Sequence, residues 1–242
     1  QFVQNPWYPV AEPSDAQASA DTADASRDLT AELVKLVQAM QEIKAEEDSR
    51  VNSYEIFVNQ KQTHIRNSRG VDVTFSGFGC EIEVVTNSRT DDHEIEIYKD
   101  LRFSDKSAEK IIAEVRGMFH TGRQRLNAVP TRQNEHADVL LTGNAVGSFF
   151  QYFAMHTNAS YQYMGVAKAK IGEAITGADA DPLNIRLVPT LDGSAKNAPY
   201  DETGMPVAER VLFENGICRS YWGSLQHAHY IGMKDTTSMN NM

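Results

Sequence analysis

The chain has 242 residues, enough for one large domain or two smaller ones with a real core. Apolar residues make up 41% and charged residues 23%, an ordinary globular balance, and no apolar run approaches the ~20 residues of a membrane helix. Acidic residues outnumber basic ones, 33 to 23, for a formal charge of −10, so neither nucleic acid nor an anionic membrane is expected as a direct partner.

Residues 1–10 lack the charged and apolar regions of a signal peptide, and residues 1–22, rich in Pro, Ala, Ser and Asp, read as an extended lead-in. A helix is predicted over residues 26–48, where Leu29, Leu33, Leu36, Val37, Met40 and Ile43 form one apolar stripe. Residues 54–59 and 62–67 read as two strands joined by a turn at Gln60 and Lys61. A second turn follows at Asn67-Ser68-Arg69-Gly70, and residues 71–75, 81–86 and 94–98 alternate as further strands. The expected result is a meandering antiparallel sheet with one wet face.

Helical spacing returns over residues 107–126, and the polar stretch 130–136 marks a domain boundary. Residues 138–142 read as a short buried strand, and residues 147–155 and 161–174 as helices. Near the end, residues 207–214 and 217–222 flank Asn215-Gly216, the sequence of a type I′ hairpin turn. That register sets Phe213 opposite Cys218 and Val211 opposite Ser220, with a short helix after Gly223.

No residue cluster by itself makes a convincing active site. His93-Glu94 would need a second His four or five positions on, where Ile97 and Tyr98 stand instead. His227 and His229 could share a face only on a strand, and their surroundings read as helix. Cys218 fits a small buried hydrophobe better than a nucleophile. Gly77-Phe78-Gly79 lacks the third glycine and the helix of a phosphate loop, and Glu46-Glu47, Asp91-Asp92 and Asp201-Glu202 read as solvated acids. Two cysteines, Cys80 and Cys218, are too few for a disulfide scaffold, so a cytoplasmic setting is expected.

One long stretch does resemble a known family. Asp201-Glu202, Gly204, Pro206, Arg210-Val211-Leu212, Glu214-Asn215-Gly216, Tyr221-Trp222 and Ile231-Gly232 are similar in type and spacing to a segment of the TldD/PmbA family. The Asn67-Ser68-Arg69-Gly70 turn and the helix over 107–126 resemble further family features. Active members are similar to zinc metallopeptidases carrying HExxxH. By the shared Ala-Val-Gly, the comparable site here is Gly143-Asn144-Ala145-Val146-Gly147-Ser148. Gly143 and Ser148 stand where the two His ligands would be, and Asn144 where the Glu base would be. The resemblance therefore implies neither catalytic nor metal-binding residues in this chain, with zinc only in an HExxxH-bearing partner.

Lack of HExxxH marks the PmbA or TldE-like branch of this bacterial-type family, whose members resemble partner subunits of TldD in peptide proteolysis or maturation. Some carry the name of modulators of DNA gyrase. The expected fold class is α+β: an antiparallel sheet with packed helices, then a mostly β domain with short helices. Residues 1–134 would complete an N-terminal domain and 135–242 would begin a C-terminal one, the whole reading as a fragment of a longer protein. The leading function is a non-catalytic pseudoenzyme subunit, dimeric with a TldD-like homologue or with itself, that helps hold a peptide substrate. The alternatives are a stand-alone hydrolase using His156, His227 or His229, and a peptide-binding module without catalysis. The aromatic run from Phe149 to Met155 is either the interface or the domain's own core.

Overall fold

In the computed structural model, residues 7–15, 23–24, 26–133, 136–234 and 241–242 are described. Asp28 opens the first helix, α1 (Leu29–Gln41), by accepting the Thr30 and Ala31 N–H groups at 3.0 Å. The helix ends seven residues short of the predicted 48. Arg123 reaches across to bind the carboxylates of Glu46 and Asp48, and Glu46 N–H bonds the Ser49 carbonyl, which draws this acidic run into the turn before the sheet.

Three strands follow, β1 (Ser49–Arg66), β2 (Asp72–Arg89) and β3 (Glu94–Phe103), antiparallel and in the order β1-β2-β3. The first two are each 18 residues long, so two predicted breaks do not exist. Gln60 and Lys61 pair with Phe78 and Gly77 inside the ladder. Gly79 is a strand residue whose missing side chain makes room for Ala195, whose Cβ would lie 3.2 Å from an added one. The one turn between them is Asn67 to Gly70. Asn67 Oδ1 accepts the N–H groups of Arg69 and Val71, and Gly70 takes φ +98°.

Ser107 caps α2 (Ala108–Leu126), which packs with α1 on one face of the sheet. Leu36, Met40, Phe78, Ile82, Val84, Leu101, Ile111, Val115 and Phe119 form this first core. The opposite face is polar, with Arg102 bridging Glu81 (2.7 Å) and Asp100 (2.8 Å).

Residues 138–142 are not the buried strand predicted for them. They have no strand partner among the described residues, and Leu140 is 88% exposed. Next come α3 (Asn144–His156) and α4 (Ala159–Tyr163). The helix predicted over 161–174 stops at Tyr163 because Gly165 turns the chain at φ +70°, and Gln162 then ties the loop to the carbonyls of His156 and Ala169.

A second small sheet, order β4-β5-β6, is built from β4 (Ile185–Leu187), β5 (Arg210–Glu214) and β6 (Ile217–Cys218). Asn215 (φ +51°) and Gly216 (φ +77°) make the predicted turn, and Phe213 faces Cys218. The strands are shorter than predicted. Beyond Cys218 the Arg219 N–H still reaches the Leu212 carbonyl (2.8 Å), and a side-chain bond then takes over, Ser220 Oγ to the Val211 carbonyl. The short helix α5 (Leu225–Tyr230) follows.

Ala154, Ile185, Leu187, Leu212, Phe213 and Cys218 form the second core. It meets the first unit through the Phe75 and Tyr200 rings (5.8 Å apart), the Ser104 N–H to Gly193 carbonyl bond (2.8 Å), and Gly204 against Val71. The predicted boundary at 134–135 lies outside the described residues. No helix among those described is long and apolar enough to cross a membrane.

Candidate functional site

The family comparison in the sequence placed a vacated motif at residues 143–148, and in the fold these residues open α3. Gly143 precedes the helix at φ +56°, and no side chain caps it. Asn144, Ser148 and Gln151 follow at helical spacing on one face. With Gly143 and Gly147 they form one wall of a cavity of about 470 Å³. Leu191, Ser194, Lys196, Asn241 and Met242 form the other.

That second wall is cross-braced. Asn241 accepts from the Ser194 hydroxyl (2.5 Å) and donates to Asn197 Oδ1 (3.0 Å). Asn197 closes on Leu191 twice, accepting its N–H at 2.9 Å and donating to its carbonyl at 3.0 Å. The Lys196 N–H is held by Ser194 Oγ at 3.1 Å.

A catalytic zinc site takes three His, Cys or carboxylate ligands and a base for the bound water. This cavity offers neutral amides, hydroxyls and one ammonium, so its donor set does not fit the metal. Among the described residues no group of three His, Cys, Asp or Glu side chains is placed to hold one elsewhere.

The aromatic run on α3 divides by face. Phe150 and Phe153 turn inward, Phe153 meeting Phe213 edge-on at 6.4 Å. Phe149 and Tyr152 are 51% and 47% exposed. The core reading therefore holds for Phe150 and Phe153, while Phe149 and Tyr152 leave an uncovered apolar surface on the other side.

Residues 134–241 match the PmbA/TldA metallopeptidase C-terminal domain. Over these residues the chain is similar to that domain of the TldD/PmbA family. Solved structures share its fold at low identity. TldE from Thermococcus kodakarensis superposes with a TM-score of 0.65 at 19% identity, covering 97% of this chain and 53% of that one. A candidate modulator of DNA gyrase from Thermotoga maritima gives 0.64 at 16%, covering 97% and 54%. Another from Bacteroides thetaiotaomicron gives 0.59 at 16%, covering 96% and 53%. The chain thus spans about half the length of these relatives, and the α+β class read from the sequence is the one they share. No curated protein matches the sequence.

The other candidate residues sit away from the TldD/PmbA motif. His93 lies in the exposed turn between β2 and β3. His227 and His229 are on α5, whose helical spacing sets residues two apart on different faces. His227 Nδ1 lies 3.1 Å from Ser224 Oγ at the head of that helix, and its ring packs beside Tyr163 and Tyr230. Cys218 is fully buried, and burial pushes its thiol up to about 11, far from a thiolate at neutral pH.

His156 is also buried. Burial, then the Lys168 charge, lowers its pKa, and its Nδ1 accepts the Lys168 N–H at 3.3 Å while Tyr152 packs on the ring at 4.5 Å. A neutral imidazole so engaged supports the loop after α4. Two acids expected to be solvated are structural instead: Asp201 is buried and accepts from Thr203 twice and from Met205, and Glu46 is paired with Arg123. Sequence reasoning missed Gln151, Lys196 and Asn241. Gln151 lies one turn beyond the motif, and no local pattern links the other two to it.

Proposed function

We propose that this chain is part of a non-catalytic, PmbA/TldE-like subunit that pairs with a zinc-bearing TldD-like homologue and helps enclose its peptide substrate. One observation carries the reading. The α3 segment lines a formed cavity, and by the resemblance in sequence Gly143, Asn144 and Ser148 stand where ligands and base would be. A scaffold that has a cavity and lacks the chemistry is suited to shaping a shared chamber. Phe149 and Tyr152, uncovered on the next turns of the same helix, supply an apolar surface of the kind interface cores use. Two of the solved relatives bear the gyrase-modulator name. With a net charge of −10, any such role here would act through protein contacts rather than through DNA.

The test is co-expression of the full-length protein with an HExxxH-bearing homologue. The expected outcome is a stable complex with about one zinc, bound by the homologue alone. A full-length protein that stays monomeric beside that homologue ends the proposal. So does about one zinc per chain in the isolated protein, lost on changing Asn144.

A further inference from the structure

The cavity beside the α3 motif has a chemical character of its own. In a chain with ten more acidic than basic residues, no carboxylate side chain lines it among the described residues, and its one ionised side chain is the ammonium of Lys196. The side chains of Asn144, Ser148, Gln151 and Lys196 make no hydrogen bond or ion pair with any described residue. By contrast, the backbone that presents Lys196 is fixed by the Ser194, Asn197 and Asn241 network described above. Free polar groups on a braced frame suit a ligand, because the frame loses little freedom on binding.

We infer that this cavity binds the C-terminal end of a short extended peptide, with Lys196 pairing the terminal carboxylate and the α3 side chains taking the peptide's amides. The length fits. Asn144 to Gln151 spans two helical turns, ~10 Å, or about three residues of extended chain. The volume, about 470 Å³, lies in the range of small-ligand sites. A single ammonium matches one carboxylate, whereas a phosphate group would call for more than one donor cation. The peptide nature of the ligand rests on the subunit reading above; the carboxylate preference rests on the cavity alone.

The experiment is calorimetric titration of the protein with trialanine, with its C-terminal amide, and with Ala-Asp-Ala amide, which moves the carboxylate to a side chain. Trialanine is expected to bind at least about tenfold more tightly than either amide. Lys196→Met should bring trialanine down to the level of its amide, and Lys196→Arg should keep most of the preference. Asn144→Ala with Ser148→Ala should weaken acid and amide alike. Lys196 is exposed, and an unchanged melting temperature checks that these variants fold. Equal binding of acid and amide overturns the inference, as does no binding of any, an unaffected Lys196→Met, or Ala-Asp-Ala amide matching trialanine. Capture of the HExxxH homologue is scored separately on the same variants. In the unaltered protein, absence of the carboxylate preference with pairing intact rejects this site alone; absence of pairing with the preference present rejects the subunit reading alone.

Discussion

Two residues carry more than their size. Gly216 sits at φ +77° in the β5–β6 turn, and a side chain there would run into the Thr176 hydroxyl. Gly216→Val should therefore cost roughly 2 kcal/mol from backbone strain and collision together, read as a lowered denaturation midpoint. An unchanged midpoint would mean that the turn relaxes to another type. Glu114 on α2 is clamped between Lys99 (3.0 Å) and Lys106. Partial burial alone would raise its pKa, but the hydrogen bonds and charges of the two lysines outweigh this and hold it below the ordinary glutamate range. A lowered pKa means stabilisation that is complete above the unfolded-state titration and lost as pH falls through the folded one. Glu114→Gln should cost about 1 kcal/mol at neutral pH and almost nothing in strong acid. A cost independent of pH would assign the effect to packing. The Asn-Gly pair announces its turn in the sequence, because few residues accept that backbone. The clamp announces nothing, because Lys99, Lys106 and Glu114 meet only when α2 lies against β3.

At the scale of elements, patterning found α2, the strand alternation and the β5–β6 hairpin, and misread lengths. Polar residues at 60–61 and glycines at 77 and 79 look like turns in isolation. In the fold they are ladder residues, Gly79 thinned for Ala195. The converse error fell on residues 138–142, where an apolar run with no partner strand among the described residues stays exposed. Of the candidate site, the α3 half was legible through the motif and the Lys196 half was not, since tertiary packing alone brings it there. The division of α3 gives a direct test. Phe149→Ser with Tyr152→Ser should leave circular dichroism and melting nearly unchanged, because both side chains are about half exposed, while it weakens assembly with the HExxxH-bearing homologue proposed above. Phe153→Ser, which faces Phe213, should instead cost about 3 kcal/mol or more of stability. If the double variant unfolds, the outer face is core and the interface lies elsewhere.

For the whole molecule, two cores are joined by one long hairpin. The outer reaches of β1 and β2 lie under α1 and α2, and their tip lies against the second unit through Val71 and Phe75. This layout bears on the order of events during folding. Ser49 and Ser88, whose hydroxyls meet at the far end of the hairpin, are 39 positions apart, whereas Arg66 faces Asp72 directly across the tip. Loop-closure entropy makes the tip the cheapest place to begin, and each rung then shortens the loop for the next, like a zipper. Asn67 holds the first tooth. Asn67→Ala should slow refolding roughly fivefold and change the unfolding rate little. Stopped-flow traces in which unfolding accelerates instead would put the nucleus elsewhere. If the zipper closes from the tip, the surface that receives the second core is among the first parts of this chain to take shape.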